Sequence, residues 1–133
     1  FGNPIYTITD KENQSVYIWS YRGRYMIAKI ENADYNTVFA ALRIAIPILS
    51  VKTEPSESDW SAINKLRTTP SLKNARITTY KYKPLTGVTE ITDSKGVSTY
   101  YSYDDHGRLS EIYTLENGEK KLLQDMEYKY YNE

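Results

Sequence analysis

Few residues of this chain have the types and spacing that catalysis needs. His106 is the single histidine among the 133 residues, and the chain has no cysteine. Acid–base catalysis by a histidine needs a second group that orients the ring, and none is recognisable near His106. A metal site would depend on clustered carboxylates, but the adjacent Asp104 and Asp105 lie where a turn is expected. We therefore predict no catalytic residue, no cofactor and no bound metal.

Two strand carboxylates, Glu90 and Glu111, could formally serve as the acid pair of a glycoside hydrolase. Such carboxyl groups face each other about 5 to 10 Å apart across a cleft. Any two strand carboxylates would satisfy the sequence equally well. The chain also lacks the nucleophile-elbow, P-loop and zinc-protease motifs. We predict that the protein is not an enzyme.

Charge and hydropathy exclude two further classes of partner. Seventeen basic and seventeen acidic side chains cancel, and they are interspersed. Without a basic face, we expect no nucleic-acid partner. The most apolar stretch, residues 38–51, contains Arg43 and Pro47 and is too short to span a bilayer.

Because the chain opens at Phe1 without a methionine, we expect a fragment of a longer protein.

The chain is rich in tyrosine, with 14 residues of this type. Tyrosine packs well on a pleated sheet and keeps its hydroxyl in water. Strand aromatics can pack on one another as cross-strand pairs, or they can stack on sugar rings. The candidates for ligand stacking are Trp19, Tyr21, Tyr101 and Tyr103.

Hydrophobic periodicity divides the chain into three regions of one expected domain. Residues 1–32 alternate as strands, with predicted strands at 4–9, 15–21 and 25–30 and a turn at 10–13. Residues 33–74 change to a helical period and predict two helices, over 34–46 and 57–67. Residues 75–133 return to alternation, with predicted strands at 76–82, 88–92, 97–103, 109–115 and 122–131.

The two predicted helices each have one apolar stripe, so they should pack on a sheet. Asp34 is expected to cap the first helix, and Pro47 to end or kink it. The apolar positions of this helix are Tyr35, Val38, Phe39, Leu42 and Ile46. Ser56 or Ser58 should cap the second helix, whose apolar positions are Trp60, Ile63 and Leu66.

Turn residues separate the strands of the last region. Asp93 to Gly96 and Asp104 to Gly107 have the Asp-x-x-Gly pattern of a type I turn. Asn117-Gly118 is a strong two-residue hairpin signal. Consecutive hairpins of this kind predict a β-meander. The fold class is therefore α+β, a mostly antiparallel meander with two helices inserted between two repeat-like halves.

The two halves share a motif. An Ile-Thr-Asp triplet is followed seven positions later by tyrosine, then Ser-Tyr, then Gly-Arg and an apolar residue. In the second half this motif includes Asp93, Gly96, Tyr101, Tyr103, Asp104, Gly107, Arg108 and Leu109. In the first half it runs from Ile8 to Tyr25, without the aspartate after Tyr21 and with a shorter turn. Each of these residues has a structural role in a hairpin, and repetition favours a structural reading.

The segment 96–109 resembles the YD repeat of the Rhs family, whose core Tyr-x-Tyr-Asp-x-x-Gly-Arg-Leu is intact at 101–109. The resemblance covers about residues 77–131. The segment 83–89, which precedes the repeat, also resembles the corresponding segment of family members from Bacteroidetes. It implies a large secreted or cell-surface protein whose hairpins wind into a β-sheet shell. The expected partners are neighbouring repeats, and a polysaccharide or another surface protein is an open possibility.

The resemblance implies a non-catalytic structural or adhesive segment. Two alternatives remain open at this point. One is a carbohydrate-binding module that uses strand aromatics, and the other is a protein–protein interaction domain that uses sheet edges.

Overall fold

The computed structural model describes residues 6–8, 14–42 and 46–126. It divides into two compact units, Phe1–Tyr80 and Lys81–Glu133. The described residues form eight strands, three α-helices and two short 3-10 helices. The predicted α+β class, with a mostly antiparallel meander, is confirmed. The expectation of a single domain stays a prediction.

In the first unit the strands pair in chain order. They are β1 (Tyr6–Ile8), β2 (Gln14–Ser20), β3 (Tyr25–Glu31) and the first part of β4 (Arg76–Lys83). All three pairs are antiparallel. A bulge at Ile18 and Trp19 offsets the β2–β3 register. The predicted turn at 10–13 lies outside the described residues.

The helices of the first unit lie between β3 and β4 in sequence. They are α1 (Tyr35–Leu42), α2 (Ile46–Val51) and α3 (Glu57–Lys65), followed by the 3-10 helices Leu66–Thr68 and Pro70–Leu72. The helices α1 and α2 contact β2, as expected for elements with one apolar stripe. The buried side chains of the core come from both layers: Val16, Ile18, Ile27, Ala28, Ile30 and Ile77 from the strands, and Val38, Leu42, Leu49, Ile63, Leu66 and Leu72 from the helical segment.

The first helix agrees with its prediction at the cap and differs from it at Phe39. Asp34 caps it as expected, since its Oδ1 accepts a hydrogen bond of 2.7 Å from the Thr37 amide. Phe39, predicted to be in the apolar stripe, is 44% exposed. Val38 and Leu42 lie one turn apart and face the core. Phe39 lies beside this buried stripe of the helix, and its ring stacks on the Tyr35 ring with the ring centres 5.8 Å apart.

Pro47 was predicted to end or kink the first helix, and the prediction that it ends a helix is wrong. Residues 43–45, which would show a kink, lie outside the described residues. Pro47 is instead the second residue of α2. A proline in the first turn costs no hydrogen bond, because the amides of that turn have no partner within the helix. Three α-helices are present in the described residues, where the sequence predicted two.

The third helix begins with a capping box. The Ser56 hydroxyl accepts a hydrogen bond from the Asp59 amide at 3.1 Å, and the Asp59 carboxylate accepts one from the Ser56 amide at 2.8 Å. Of the two predicted caps, Ser56 is therefore the one used. Ile63 and Leu66 are buried as predicted, and Trp60 is half-buried.

Asp59 is also the acid of an ion pair that sequence reasoning missed. Lys52 donates to both of its carboxylate oxygens, at 2.9 and 2.7 Å. The Asp59 side chain is 3% exposed, and the Lys52 side chain reaches it from a more open position. Burial raises the pKa of Asp59, but the hydrogen bonds from Lys52 and Ser56 outweigh it, so that the net pKa lies below the ordinary value of 3.8.

In the second unit four strands follow one another as a meander. They are β5 (Gly87–Thr92), β6 (Ser98–Tyr103), β7 (Leu109–Glu116) and β8 (Glu119–Asp125), and all three pairs are antiparallel. Asn117 and Gly118 have positive φ values of 53° and 80°, which confirms the predicted two-residue turn. β8 begins at Glu119 rather than at the predicted 122, because this turn is so short. The predicted continuation beyond residue 126 lies outside the described residues.

We expect Asp59→Ala to lower the free energy of unfolding by about 3 kcal/mol, because it removes the side-chain half of the capping box and leaves the Lys52 ammonium without its partner. A lowered pKa in the folded state means that this stabilisation is complete above 3.8 and is lost as the pH falls through the folded-state pKa. Urea denaturation at several pH values measures both effects.

The matched control is Glu57→Ala, an exposed acid in the same first turn. It should cost less than about 1 kcal/mol, because only the interaction with the helix dipole is lost. Equal losses in the two variants would show that the ion pair contributes nothing.

Candidate interaction surface

Two turns of the second unit are built in the same way around an aspartate. In the first, Asp93 Oδ1 accepts hydrogen bonds from the amides of Lys95 and Val97, at 2.9 and 3.0 Å. In the second, Asp104 Oδ1 accepts from the amides of the corresponding residues, His106 and Arg108, at 2.9 and 3.0 Å. Each aspartate carboxylate therefore holds a complete turn, as its position in the motif predicts.

The glycines complete these turns. The Gly96 amide donates to the Asp93 carbonyl and the Gly107 amide to the Asp104 carbonyl, each at 3.0 Å. Both glycines have positive φ, 82° and 75°. The fourth position of an Asp-x-x-Gly turn therefore needs a residue that enters the left-handed region without strain.

Arg108 adds a contact that is specific to the second turn. Its Nε donates to Asp104 Oδ2 at 3.0 Å. The hydrogen bond from the Arg108 amide, more than any other cause, lowers the pKa of the Asp104 carboxyl. The carboxylate therefore stays charged and keeps accepting from the turn at ordinary pH.

The tyrosine before this turn packs on a glycine that sequence reasoning overlooked. The Tyr103 hydroxyl donates to the Val88 carbonyl at 2.6 Å. A Cβ placed on Gly87 would lie 2.6 Å from that hydroxyl oxygen, and φ there is +151°. Because Gly87 has no side chain, the Tyr103 ring can lie against it. Burial raises the pKa of the Tyr103 hydroxyl, and the neighbouring Tyr101 adds to the rise.

One face of this meander is apolar. The registers Tyr101 opposite Ile112, Tyr103 opposite Leu109 and Ile91 opposite Thr99 place these side chains on the same side of the sheet. We call Ile91, Tyr101, Tyr103, Leu109 and Ile112 the apolar face. Every one of its members is only half-buried.

The opposite face is polar and aromatic. Tyr100 and Tyr113 pair across the strands with their rings 5.3 Å apart and nearly parallel. The Lys120 ammonium lies 4.5 Å from the centre of the Tyr113 ring and donates to Glu111 at 2.9 Å. The contact with Glu111 raises the pKa of Lys120. Packing of this kind occupies the ring face of Tyr113 with the protein's own groups.

The polar face contains Glu90 and Glu111, the formal acid pair considered in the sequence analysis, and both carboxylates contact neighbouring side chains. Glu90 accepts hydrogen bonds from Thr92 and Ser98, both at 3.2 Å, and Glu111 accepts from Lys120. His106 lies exposed in its turn. In the part of the chain that the structure describes, His, Cys, Asp and Glu form no group that could hold a metal ion. Likewise, none of the described helices is long and apolar enough to cross a membrane.

The four aromatics predicted to stack on a ligand fall in different places. Tyr101 and Tyr103 lie together on the apolar face of the second unit. Trp19 and Tyr21 lie in the first unit, where Trp19 is half-buried and Tyr21 is only 8% exposed. The Tyr21 ring meets Tyr25 edge to face at 5.4 Å. Little of the Tyr21 side chain is therefore exposed, and ligand stacking by all four aromatics stays a prediction.

The strands β5 to β8 thus form a meander of short hairpins with aspartate-held turns and a tyrosine packed on a glycine. Residues 86–120 match the family model described as RHS Repeat. The predicted relationship to the Rhs/YD-repeat family is thus confirmed over this segment, which includes Gly87 and the complete Tyr-x-Tyr-Asp-x-x-Gly-Arg-Leu core. Comparisons with curated proteins and with solved structures give no match.

We expect Gly87→Ala to destabilise the second unit by about 2 kcal/mol, because the new methyl group displaces a hydrogen-bonded ring and strains the backbone. Gly96→Ala is the matched control. It also has positive φ, but nothing lies within 4 Å of its added Cβ, so it should cost about 1 kcal/mol.

A double-mutant cycle isolates the ring contact. Tyr103→Phe removes the hydroxyl that the Gly87→Ala methyl group would meet, so Gly87→Ala should cost less in that background. Thermal unfolding followed by tyrosine fluorescence measures all four proteins. Additive costs would contradict the packing of Tyr103 on Gly87.

Proposed function

We propose that the chain is a non-catalytic, structural and adhesive segment of a larger secreted or cell-surface YD-repeat protein. The family assignment supports the structural part, since an RHS repeat is a structural repeat of larger proteins. The observation that carries the proposal is the lack of buried side chains in the second unit. None of its described residues, 81–126, is buried.

This lack of burial distinguishes the two units. In the first unit, side chains from two layers enclose a core of fully buried residues. In the second unit, Ile91, Leu109 and Ile112 remain half-buried on the apolar face. A single hairpin layer cannot bury its own apolar face, so stability in such repeats comes from neighbours that cover it. Neighbouring repeats of a parent protein would supply that cover.

The polar face supports the same proposal. The Tyr100 and Tyr113 rings stack on each other, and Lys120 lies against Tyr113. Contacts of this kind between neighbouring strands each contribute a fraction of a kcal/mol and hold a sheet together without a second layer. The aromatic content of this face is thereby accounted for by cross-strand packing.

Hydrogen exchange tests the structural proposal. In a longer piece of the parent protein that contains the adjoining repeats, amides of β5 to β8 should exchange at least about tenfold more slowly than in this chain, because covered strands open less often. Amides of Ile18 and Ile30 in the first unit are the internal control and should not change. Equal exchange of β5 to β8 in both proteins would contradict the proposal.

A carbohydrate-binding module is the second candidate, and the half-exposed Tyr101 on the apolar face favours it. The test is an array of neutral glycans probed with the chain, Trp19→Ala, Tyr101→Ala and the control Tyr100→Ala, whose ring points to the opposite face. The structural proposal expects no saturable binding. Binding lost in Tyr101→Ala and kept in Tyr100→Ala would establish the module instead.

Interaction through a sheet edge is the third candidate. All described residues of β8 are exposed, including Leu122 at 45% and Leu123 at 56%. Strand edges with exposed apolar residues pair readily with other strands. The hydrogen-exchange comparison covers this candidate too, because a partner on β8 would protect that strand and leave β5 unchanged.

A further inference from the structure

Tyr100 and Tyr113 form a stacked pair on the polar face of the second unit. They lie directly opposite each other in the register of β6 and β7. Their ring centres are 5.3 Å apart, and the ring planes differ by only 17°. Rings that are nearly parallel at this distance are offset, so that edge carbons of one ring overlie the other ring. The pair therefore holds two phenol rings side by side on neighbouring strands.

Neighbouring groups hold the Tyr113 ring in this position. The Lys120 ammonium lies 4.5 Å from the centre of the ring, where a cation is attracted to an aromatic face. The same ammonium donates to the Glu111 carboxylate at 2.9 Å, which keeps it over the ring. Tyr100 and Tyr113 are both half-buried, so each keeps part of its surface in solvent. The two rings are thus held in contact and are open to a small oxidant.

Paired phenols of this kind can be joined by oxidation. A phenol that loses one electron and its hydroxyl proton becomes a radical, whose unpaired electron is shared with the ring carbons beside the oxygen. Two such radicals form a carbon–carbon bond at these carbons, and the hydrogens there move to the two oxygens, which restores both phenols. The pair loses two hydrogen atoms in total, and these reduce one hydrogen peroxide to two waters. Rings that are already held together couple faster than rings that must meet by diffusion.

The second unit has few other ways to gain a covalent link. The chain contains no cysteine, so the disulfides that usually stabilise extracellular domains cannot form. None of the described residues 81–126 is buried. We propose that Tyr100 and Tyr113 are an oxidative modification site, at which a peroxide-dependent one-electron oxidant joins β6 to β7 through a stabilising dityrosine bond. This inference goes beyond the proposed function, because it assigns a chemical modification to two named side chains.

Oxidation of the folded chain by a peroxidase and hydrogen peroxide, followed by tryptic digestion and mass spectrometry, tests the proposal. Trypsin cleaves after Arg108 and therefore separates Tyr100 from Tyr113. The two peptides are 96–108 and 109–120, and the second contains no tyrosine other than Tyr113. We expect a linked pair of these peptides that lacks two hydrogen atoms. Its yield should not depend on protein concentration, because the bond forms within one chain.

Two conservative variants identify the partner of Tyr113. Tyr100→Phe keeps the ring but cannot form a phenol radical, so the yield of the linked pair should fall at least about tenfold. Tyr101→Phe is the matched control. Tyr101 lies in the same peptide but on the apolar face, so this variant should keep the full yield.

The cross-linked protein should also be more stable than the unmodified chain. Because the bond closes the loop between β6 and β7 in the unfolded state, we expect the midpoint of thermal unfolding to rise by about 10 °C. Tyr100→Phe treated with the same oxidant is the control, since it receives every other oxidative change without the bond. Circular dichroism measures both midpoints.

Several results would overturn the proposal. They are no linked pair from the folded chain, a yield that rises with protein concentration, a linked pair that persists in Tyr100→Phe, or an equal loss in Tyr101→Phe. An unchanged unfolding midpoint would overturn the stabilising role of the bond. The hydrogen-exchange test of the structural proposal uses unoxidised protein, so the two proposals can fail separately.

Discussion

The strands β5 to β8 of the second unit depend on one constraint, which is that a single layer must be held together although none of the described residues 81–126 is buried. Its cohesion comes from contacts within the layer. The rings of Tyr100 and Tyr113 stack across neighbouring strands, and Tyr103 lies over Gly87. Such cross-strand contacts are individually weak but recur along every hairpin. This requirement explains why the chain uses tyrosine so often, since a tyrosine ring packs while its hydroxyl remains in water or finds a backbone carbonyl.

The first unit is held together differently, by a buried core between two layers. Its strands bury one face against a helical layer, and the apolar side chains between the layers are fully enclosed. The two units therefore differ in how they gain stability, although the sequence motif runs through both. In the first copy of the motif, the turn is formed by consecutive left-handed residues held by the Lys52 carbonyl. In the second copy, an aspartate carboxylate holds the turn.

Local sequence predicted those elements whose cause is local. The Asp-x-x-Gly and Asn-Gly turns, the caps at Asp34 and Ser56 and the order of the strands all depend on residues close together in the chain. Features that depend on distant residues were missed. The packing of Tyr103 on Gly87 joins residues 16 positions apart. The ion pair of Lys52 with Asp59 joins residues only seven positions apart, but it was missed because it depends on how the loop before α3 folds back against the start of that helix. The exposure of Phe39 was missed for a similar reason. Helical periodicity identifies an apolar stripe, but it does not show which residues of that stripe the neighbouring sheet buries.

The Asp-x-x-Gly turns have a consequence for how such a chain can diversify. The aspartate and the glycine define each loop through their own carboxylate and backbone. Of the two residues between them, the second contributes its backbone amide, and the side chains of both remain exposed at Ser94, Lys95, Asp105 and His106. Substitutions at these tips leave the hydrogen bonds of the turn intact. A protein built from many such hairpins could therefore change its antigenic surface from one repeat to the next while every strand keeps its register.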